Sequence, residues 1–160
     1  MRSLLLPLMA GAALAGCGTV NAKTASAPVL GHFMVAISVA NLDVETEFFK
    51  KLGFKVVTDT KFGPGIPVRW LTSGNERIEL LQIPNSKAPA DARAKPPGHA
   101  AIQGISQVTL STTNLEATKA ALAAQGLTPA LDITVVAPLG VKVMYYQDPE
   151  GNAIEIGQKL

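Results

Sequence analysis

A near-repeat within the 160-residue chain constrains the possible folds more than any other feature of the sequence. The repeated pattern is an Asn-Leu-acid triplet followed by a glycine, and its two copies lie 73 residues apart: Asn41-Leu42-Asp43 with Gly53, and Asn114-Leu115-Glu116 with Gly126. Two further acids in matching surroundings, Glu79 and Glu155, lie 76 residues apart. An almost constant offset between separate anchor points predicts a duplicated module with a small insertion.

Each copy has the periodicity of one strand, one helix and then three strands. In the first copy, polar and apolar residues alternate from His32 to Val39, as in a half-buried strand. Asn41 or Asp43 can cap the helix that follows, and Gly53 can end it. The remaining predicted elements are strands at 54–58, 68–72, 76–83, 105–112, 127–136, 141–147 and 152–157, with a second helix at 114–125. The modules therefore span residues 32–83 and 105–158.

The last module closes with a hairpin. Proline and glycine in Asp148-Pro149-Glu150-Gly151-Asn152 favour a tight turn between two strands. In the strand after the turn, Ile154 and Ile156 share one face, so Glu155 lies on the other. Ile78 and Leu80 place Glu79 in the same way in the first module. Two acids thus face away from the predicted core, where a ligand or metal has room to bind.

A proline-rich linker at residues 84–104 joins the two modules. It has no hydrophobic period and is long for a connection within a compact domain, so it must either span the modules or cover a site. His99 lies in this linker, where a histidine side chain is most often solvated.

The first thirty residues have the composition of a targeting segment. Arg2 precedes an apolar stretch that is too short to span a bilayer, and Leu14-Ala15-Gly16 offers small residues for cleavage before Cys17. Residues 1–16 resemble a bacterial lipoprotein signal peptide. The resemblance implies that Cys17 is lipidated, for example with palmitate, and anchors the chain to the cell envelope, at the outer membrane facing the periplasm. The alternative is an ordinary secretory signal cleaved elsewhere.

Composition sets two further limits. Residues 17–31 are rich in Ala, Thr and Ser without an apolar period, which is typical of a flexible tether. Cys17 is the only cysteine, so this chain cannot form an internal disulfide. The formal net charge of +2, with both signs mixed, gives no basic patch of the kind that binds nucleic acid.

Taken together, the doubled module, the Asn-Leu-acid helix starts and the Asp148–Ile156 hairpin resemble the vicinal oxygen chelate superfamily. This superfamily includes glyoxalase I, extradiol dioxygenases and bleomycin-resistance proteins. The resemblance implies an α+β fold in which two βαβββ modules form a curved, eight-stranded mixed sheet, or cup, with the helices on its outer face. It covers residues 32–158 and also implies that a homodimer can form.

The resemblance also implies a set of metal ligands, because members that use a metal take one ligand from the first and fourth strands of each module. These positions are Met34, Glu79, Gln107 and Glu155. Carboxylate and amide oxygens suit one divalent ion such as Zn, Ni, Mn or Fe, but the Met34 thioether departs from the pattern. His32 could replace Met34 only if the start of the strand bends inward. In a glyoxalase-type lyase or isomerase, Glu155 or Glu79 would also be the catalytic base.

A metal-free cup is the competing interpretation. In it, Glu79 and Glu155 pair with Arg69 or Lys142, or accept hydrogen bonds from Gln107 and Tyr145. The cup then binds a small molecule against a wall that includes Met34, Trp70 and Tyr145. We therefore predict an envelope-anchored small-molecule-binding protein of the glyoxalase/bleomycin-resistance type, with a divalent-metal-dependent lyase or isomerase as the alternative.

Overall fold

The computed structural model describes residues 31–87, 94–101 and 103–160. The predicted signal peptide, Cys17 and nearly all of the tether lie outside these residues. Residues 32–160 form one structural unit. Within the described part of the chain, no helix is both long enough and apolar enough to cross a bilayer.

The first module contains one helix and four strands in the predicted order. They are β1 (Val35–Ser38), α1 (Leu42–Lys51), β2 (Lys55–Phe62), β3 (Ile66–Ser73) and β4 (Glu76–Leu81). The Asn41 side chain caps α1 by accepting hydrogen bonds from the backbone N–H groups of Asp43 and Val44. Strand β2 is longer than predicted because it pairs with β3 as far as Phe62 and Ile66. The predicted loop between them is therefore a short turn.

The second module repeats this order. It contains β5 (Gln107–Ser111), α2 (Leu115–Ala124), β6 (Leu131–Val136), β7 (Val141–Gln147) and β8 (Ala153–Lys159). Asn114 caps α2 by accepting from the Ala117 N–H, which confirms the second predicted helix start. Strand β6 begins four residues later than predicted. Pro129, just before it, has no N–H to donate to a sheet.

Each module forms one four-stranded mixed sheet. The strand order is β1-β4-β3-β2 in the first sheet and β5-β8-β7-β6 in the second. The first and last strands of each module run parallel, β1 beside β4 and β5 beside β8, and the other pairs are antiparallel. The α+β architecture of two βαβββ modules forming a cup is confirmed, and its eight strands are divided equally between two sheets.

Side-chain contacts repeat with the modules as well. Arg69 on β3 forms an ion pair with Asp43 on α1, at 2.9 Å. Lys142 on β7, 73 residues later, forms the equivalent pair with Glu116 on α2, at 2.7 Å. The duplication predicted from short motifs therefore extends to the contacts that hold each helix on its sheet.

The two modules share one hydrophobic core. Ile78 and Leu80 of β4 and Ile154 and Ile156 of β8 belong to the same cluster of buried side chains. Helix α1 contributes Phe48 and Phe49 to this cluster, and Phe49 is fully buried. Burial of these side chains stabilises the fold, and it fixes which face of each sheet points away from the core.

Helix α1 carries a buried acid, Glu45, which is not one of the two acids predicted to face away from the core. Glu45 of α1 is fully buried, and neither of its carboxyl oxygens has a hydrogen-bond partner among the described residues. Burial, together with the nearby Asp148 and Glu150 of the closing turn, raises the pKa of Glu45 to about 8. Glu45 is therefore mostly protonated at neutral pH.

Candidate functional site

Glu155 lies on the face of β8 that points away from the core, as the alternation of the sequence predicts. Its neighbours along the strand, Ile154 and Ile156, are buried in the core, whereas Glu155 is half-buried. In the sheet it lies between Thr109 of β5 and Tyr145 of β7. The sequence therefore brings an acid, a hydroxyl and a phenol side by side.

The Glu155 carboxylate is held by two donors from the neighbouring strands. The Gln107 Nε2 group donates to Glu155 Oε2 at 3.0 Å, and the Tyr145 hydroxyl donates to the same oxygen. Burial first, and then the bond to Glu155 and the negative charge of Glu155, raise the pKa of Tyr145 to about 12. Tyr145 is therefore a protonated hydrogen-bond donor over the whole physiological range.

His99 completes this group, and the expectation that it is solvated is wrong. The residue lies in a short 3₁₀ turn at Gly98–Ala101 and is only 4% exposed. Its Nε2 atom is 2.8 Å from Gln107 Oε1, and its ring centroid is 5.4 Å from that of Tyr145. The Nδ1 atom is buried and has no hydrogen-bond partner among the described residues. Part of the linker therefore folds against the second module beside Glu155.

A concavity of about 790 Å³ opens beside Glu155 on the same face of the second sheet. We call it the Glu155 hollow. Its lining combines hydroxyl groups with apolar side chains and includes Glu155, Thr109, Ser111, Val143, Gly157 and Lys159. Gly157 lies two residues after Glu155 on β8 and therefore on the same face of the sheet. Because it has no side chain, it leaves space open beside Glu155. A hollow of this size that combines apolar surface with hydrogen-bonding groups is typical of a small-molecule site.

Glu79 occupies the matching position in the first module and is also held by an aromatic donor. Trp70 lies directly opposite Glu79 in the sheet, and its Nε1–H donates to Glu79 Oε2 at 2.6 Å. Tyr145 is likewise the cross-strand neighbour of Glu155. Both predicted acids therefore accept a hydrogen bond from the aromatic residue beside them, on the face opposite to the core.

The ion pairs suggested for these acids are not formed. Arg69 pairs with Asp43 and Asp59, and Lys142 pairs with Glu116. The reason is the strand alternation: Arg69 lies opposite the buried Leu80 and points towards the helix side of the sheet. The other suggestion, hydrogen bonding to Gln107 and Tyr145, describes Glu155 correctly.

The predicted metal positions lie in or next to four strands, with Met34 just before β1, Glu79 on β4, Gln107 on β5 and Glu155 on β8. In the described part of the chain, no three His, Cys, Asp or Glu side chains lie close enough together to hold an ion, so Glu79, Glu155 and His32 do not form such a set. His32 is exposed, and Met34, half-buried, immediately precedes β1. Met34, Trp70 and Tyr145 are not among the residues that line the Glu155 hollow. The wall of these three residues and the four metal positions stay predictions.

This chain thus has the architecture of a two-module cup protein. Each of its two βαβββ modules carries one acid on the sheet face opposite to the core. Residues 29–156 match the model of the Glyoxalase/Bleomycin resistance protein/Dioxygenase superfamily, and the chain belongs to this superfamily. No curated protein sequence matches the chain.

Solved structures of the same fold resemble this chain over most of its length. A glyoxalase family protein from Enterococcus faecalis is 23% identical, with a TM-score of 0.63 over 78% of this chain and 94% of that one. A glyoxalase family protein from Bacillus cereus is 20% identical, with a TM-score of 0.65 over 85% and 98%. A lactoylglutathione lyase from Agrobacterium tumefaciens is 23% identical, with a TM-score of 0.57 over 82% and 96%. These similarities establish the fold.

Proposed function

We propose that the protein binds a small molecule in the Glu155 hollow while anchored to the cell envelope through Cys17. The observation that carries the proposal is the position of Glu155. Its carboxylate is oriented by Gln107 and Tyr145 and borders a concavity of about 790 Å³. A carboxylate beside apolar walls favours a ligand with a hydrogen-bond donor or a positive charge at one end and an apolar body.

The alternative function, a lyase or isomerase dependent on a divalent metal, needs a different arrangement of the same residues. Glu79 and Glu155 each accept a hydrogen bond from an aromatic side chain, and they join no third ligand of the required type among the described residues. Metal binding would require both carboxylates to exchange these hydrogen bonds for metal contacts, which favours the metal-free cup. Small-molecule binding requires no rearrangement of these side chains.

The proposal is tested by adding a side chain at Gly157, which lines the Glu155 hollow. A methyl group added at Gly157 would meet Val143 Cγ1 at 3.8 Å and Leu110 O at 4.0 Å, which are ordinary contacts. A larger side chain there extends into the hollow. Benzylamine is a suitable probe because it joins an ammonium group to an apolar ring. In NMR titrations we expect it to shift the backbone amides of Thr109, Ser111 and Gly157 in a saturable way.

We expect Gly157→Leu to abolish this shift. Glu155→Gln should weaken binding of benzylamine more than that of neutral benzyl alcohol. Gly31→Leu is the matched control, because no atom lies within 4 Å of a Cβ added there. Equal binding by the Gly157→Leu and Gly31→Leu proteins would refute the site. If elemental analysis instead found one tightly held divalent ion per chain that is lost in Glu79→Gln and Glu155→Gln, the alternative would be favoured.

The anchor and the assembly state are part of the same proposal. Lipidation of Cys17 would hold the cup on the periplasmic side of the outer membrane, where its ligand would be an envelope or imported small molecule. A homodimer, suggested by the family resemblance, would appear in sedimentation at twice the mass of the chain.

A further inference from the structure

A second group of side chains on the first module is arranged around Arg77. Its guanidinium carbon lies 4.8 Å from the centroid of the Phe33 ring and 5.2 Å from that of Trp70. The two rings meet edge to face, with centroids 6.3 Å apart. Arg77 and Glu79 are two positions apart on β4, with the buried Ile78 between them, so both lie on the face opposite to the core.

The surroundings of Arg77 differ from those of Arg69 on the neighbouring strand. No described acidic residue forms an ion pair with Arg77. Arg69, by contrast, has both Asp43 and Asp59. Glu79 accepts from Trp70 instead. The Nε atom of Arg77 is buried and has no hydrogen-bond partner in the described part of the chain. A half-buried cation without a counter-charge is unfavourable, and an anionic ligand would relieve that cost.

The surroundings of Arg77 indicate what kind of anion fits. A guanidinium group binds a carboxylate through two parallel hydrogen bonds. The Phe33 ring beside it is 61% exposed, which leaves an aromatic surface free for contact. The matching position of the second module, 76 residues later, holds Ala153. The arrangement therefore occurs once in the described chain.

We propose that Arg77, Phe33 and Trp70 form a binding site for an aromatic carboxylate on the sheet of the first module. The carboxylate pairs with the Arg77 guanidinium, and the aromatic ring packs against Phe33 and Trp70. This site is separate from the Glu155 hollow, and its ligand need not be the one bound there.

Trp70 provides a direct test because it is the only tryptophan of the chain. Its fluorescence is measured in the full-length protein at constant ionic strength while benzoate, acetate or benzamide is added. Benzoate should give a saturable change, acetate should bind more weakly because it lacks the ring, and benzamide should give none because it lacks the charge. Equal responses to benzoate and benzamide would overturn the proposal.

Substitutions assign the response to Arg77. Arg77→Gln should weaken benzoate binding by about tenfold or more, the usual effect of losing a hydrogen-bonded charge pair. Arg77→Lys should lie between, since it keeps the charge but loses the two-pronged geometry. Lys61→Gln removes one positive charge from an exposed position of β2 and should bind like the wild type. A similar loss in Lys61→Gln and Arg77→Gln would show that binding depends only on net charge and would refute the site.

Two more variants show whether a change in benzoate binding comes from the Arg77 site, from misfolding or from the Glu155 hollow. Phe33→Ala changes an exposed side chain and should fold normally, yet it should weaken benzoate binding severalfold; unchanged binding would contradict the aromatic contact. Gly157→Leu, which fills the Glu155 hollow, should leave benzoate binding intact. If Gly157→Leu abolished it, benzoate would be binding in the hollow and the Arg77 site would be refuted.

Discussion

His99 of the linker and Gln107 of β5 are joined through atoms 2.8 Å apart, His99 Nε2 and Gln107 Oε1. The direction of this bond follows from the other end of the amide. Gln107 Nε2 donates to the Glu155 carboxylate, so Gln107 Oε1 must be the acceptor and His99 Nε2 must carry the proton. His99 therefore orients the amide that orients Glu155, and it has this effect without touching the carboxylate itself.

Replacing His99 by alanine should destabilise the protein, because it leaves Gln107 Oε1 without its partner and removes a buried ring. The expected loss in the free energy of unfolding is about 1–3 kcal/mol, measured by urea denaturation. Gln103→Ala, at an exposed position of the same linker, should change it by less than about 0.5 kcal/mol. Equal effects of the two substitutions would show that the His99 contact contributes nothing.

The hydrogen bond between Tyr145 and Glu155 predicts how each affects the titration of the other. Burial raises the pKa of Tyr145 most, and Glu155 raises it further by accepting a hydrogen bond from the Tyr145 hydroxyl and by its negative charge. Glu155→Gln should therefore lower the pKa of Tyr145 from about 12, while burial keeps it above the ordinary value of 10.0. The measurement is a tyrosinate absorbance titration in a Tyr146→Phe background, since Tyr145 and Tyr146 are the only tyrosines. A pKa that does not move would contradict the bond.

The sequence was sufficient to predict the module order and both helix starts. Asn41 and Asn114 each form the expected cap, because capping depends on a few neighbouring residues. The face of Glu155 was also predictable, since strand alternation links it directly to the burial of Ile154 and Ile156. These features depend on local periodicity and need no knowledge of the tertiary structure.

The partners of the site residues could not be predicted in the same way. His99 looked solvated because the linker has no period, and only the folded chain shows that it packs beside Gln107. Arg69 was a candidate partner for Glu79, but it lies on the opposite face of its sheet and contacts α1. Alternation in β3 alone separates Arg69 from Glu79, because the adjacent residues Arg69 and Trp70 face opposite sides of the sheet and Trp70 lies beside Glu79.

The lipid anchor gives a prediction that does not depend on the fold of the cup. In cells supplied with labelled palmitate, the wild-type chain should become labelled and fractionate with membranes, whereas Cys17→Ser should not become labelled. Cys17 is the only cysteine, so no other thiol can account for the label. Membrane association of an unlabelled wild-type chain would instead indicate an uncleaved signal segment.

The buried acid on α1 predicts that the protein becomes less stable as the pH rises. The pKa of Glu45 is about 8 in the folded chain against an ordinary value of 4.5, so the folded state holds an extra proton between these values. Stability linked to Glu45 is therefore fully present below about pH 4.5 and is lost as the pH rises through about 8, with a total on the order of a few kcal/mol.

Glu45→Gln isolates this effect, because a neutral amide of similar shape removes the titrating group. We expect the free energy of unfolding of the wild type to fall across this pH range and that of Glu45→Gln to fall much less. Burial also raises the pKa of Asp148, which contributes a slope of the same sign. Glu47→Gln is the matched control on the same helix, since Glu47 is exposed and pairs with Lys50, and it should keep the wild-type slope. A Glu45→Gln protein with the full wild-type slope would show that the pH dependence arises elsewhere.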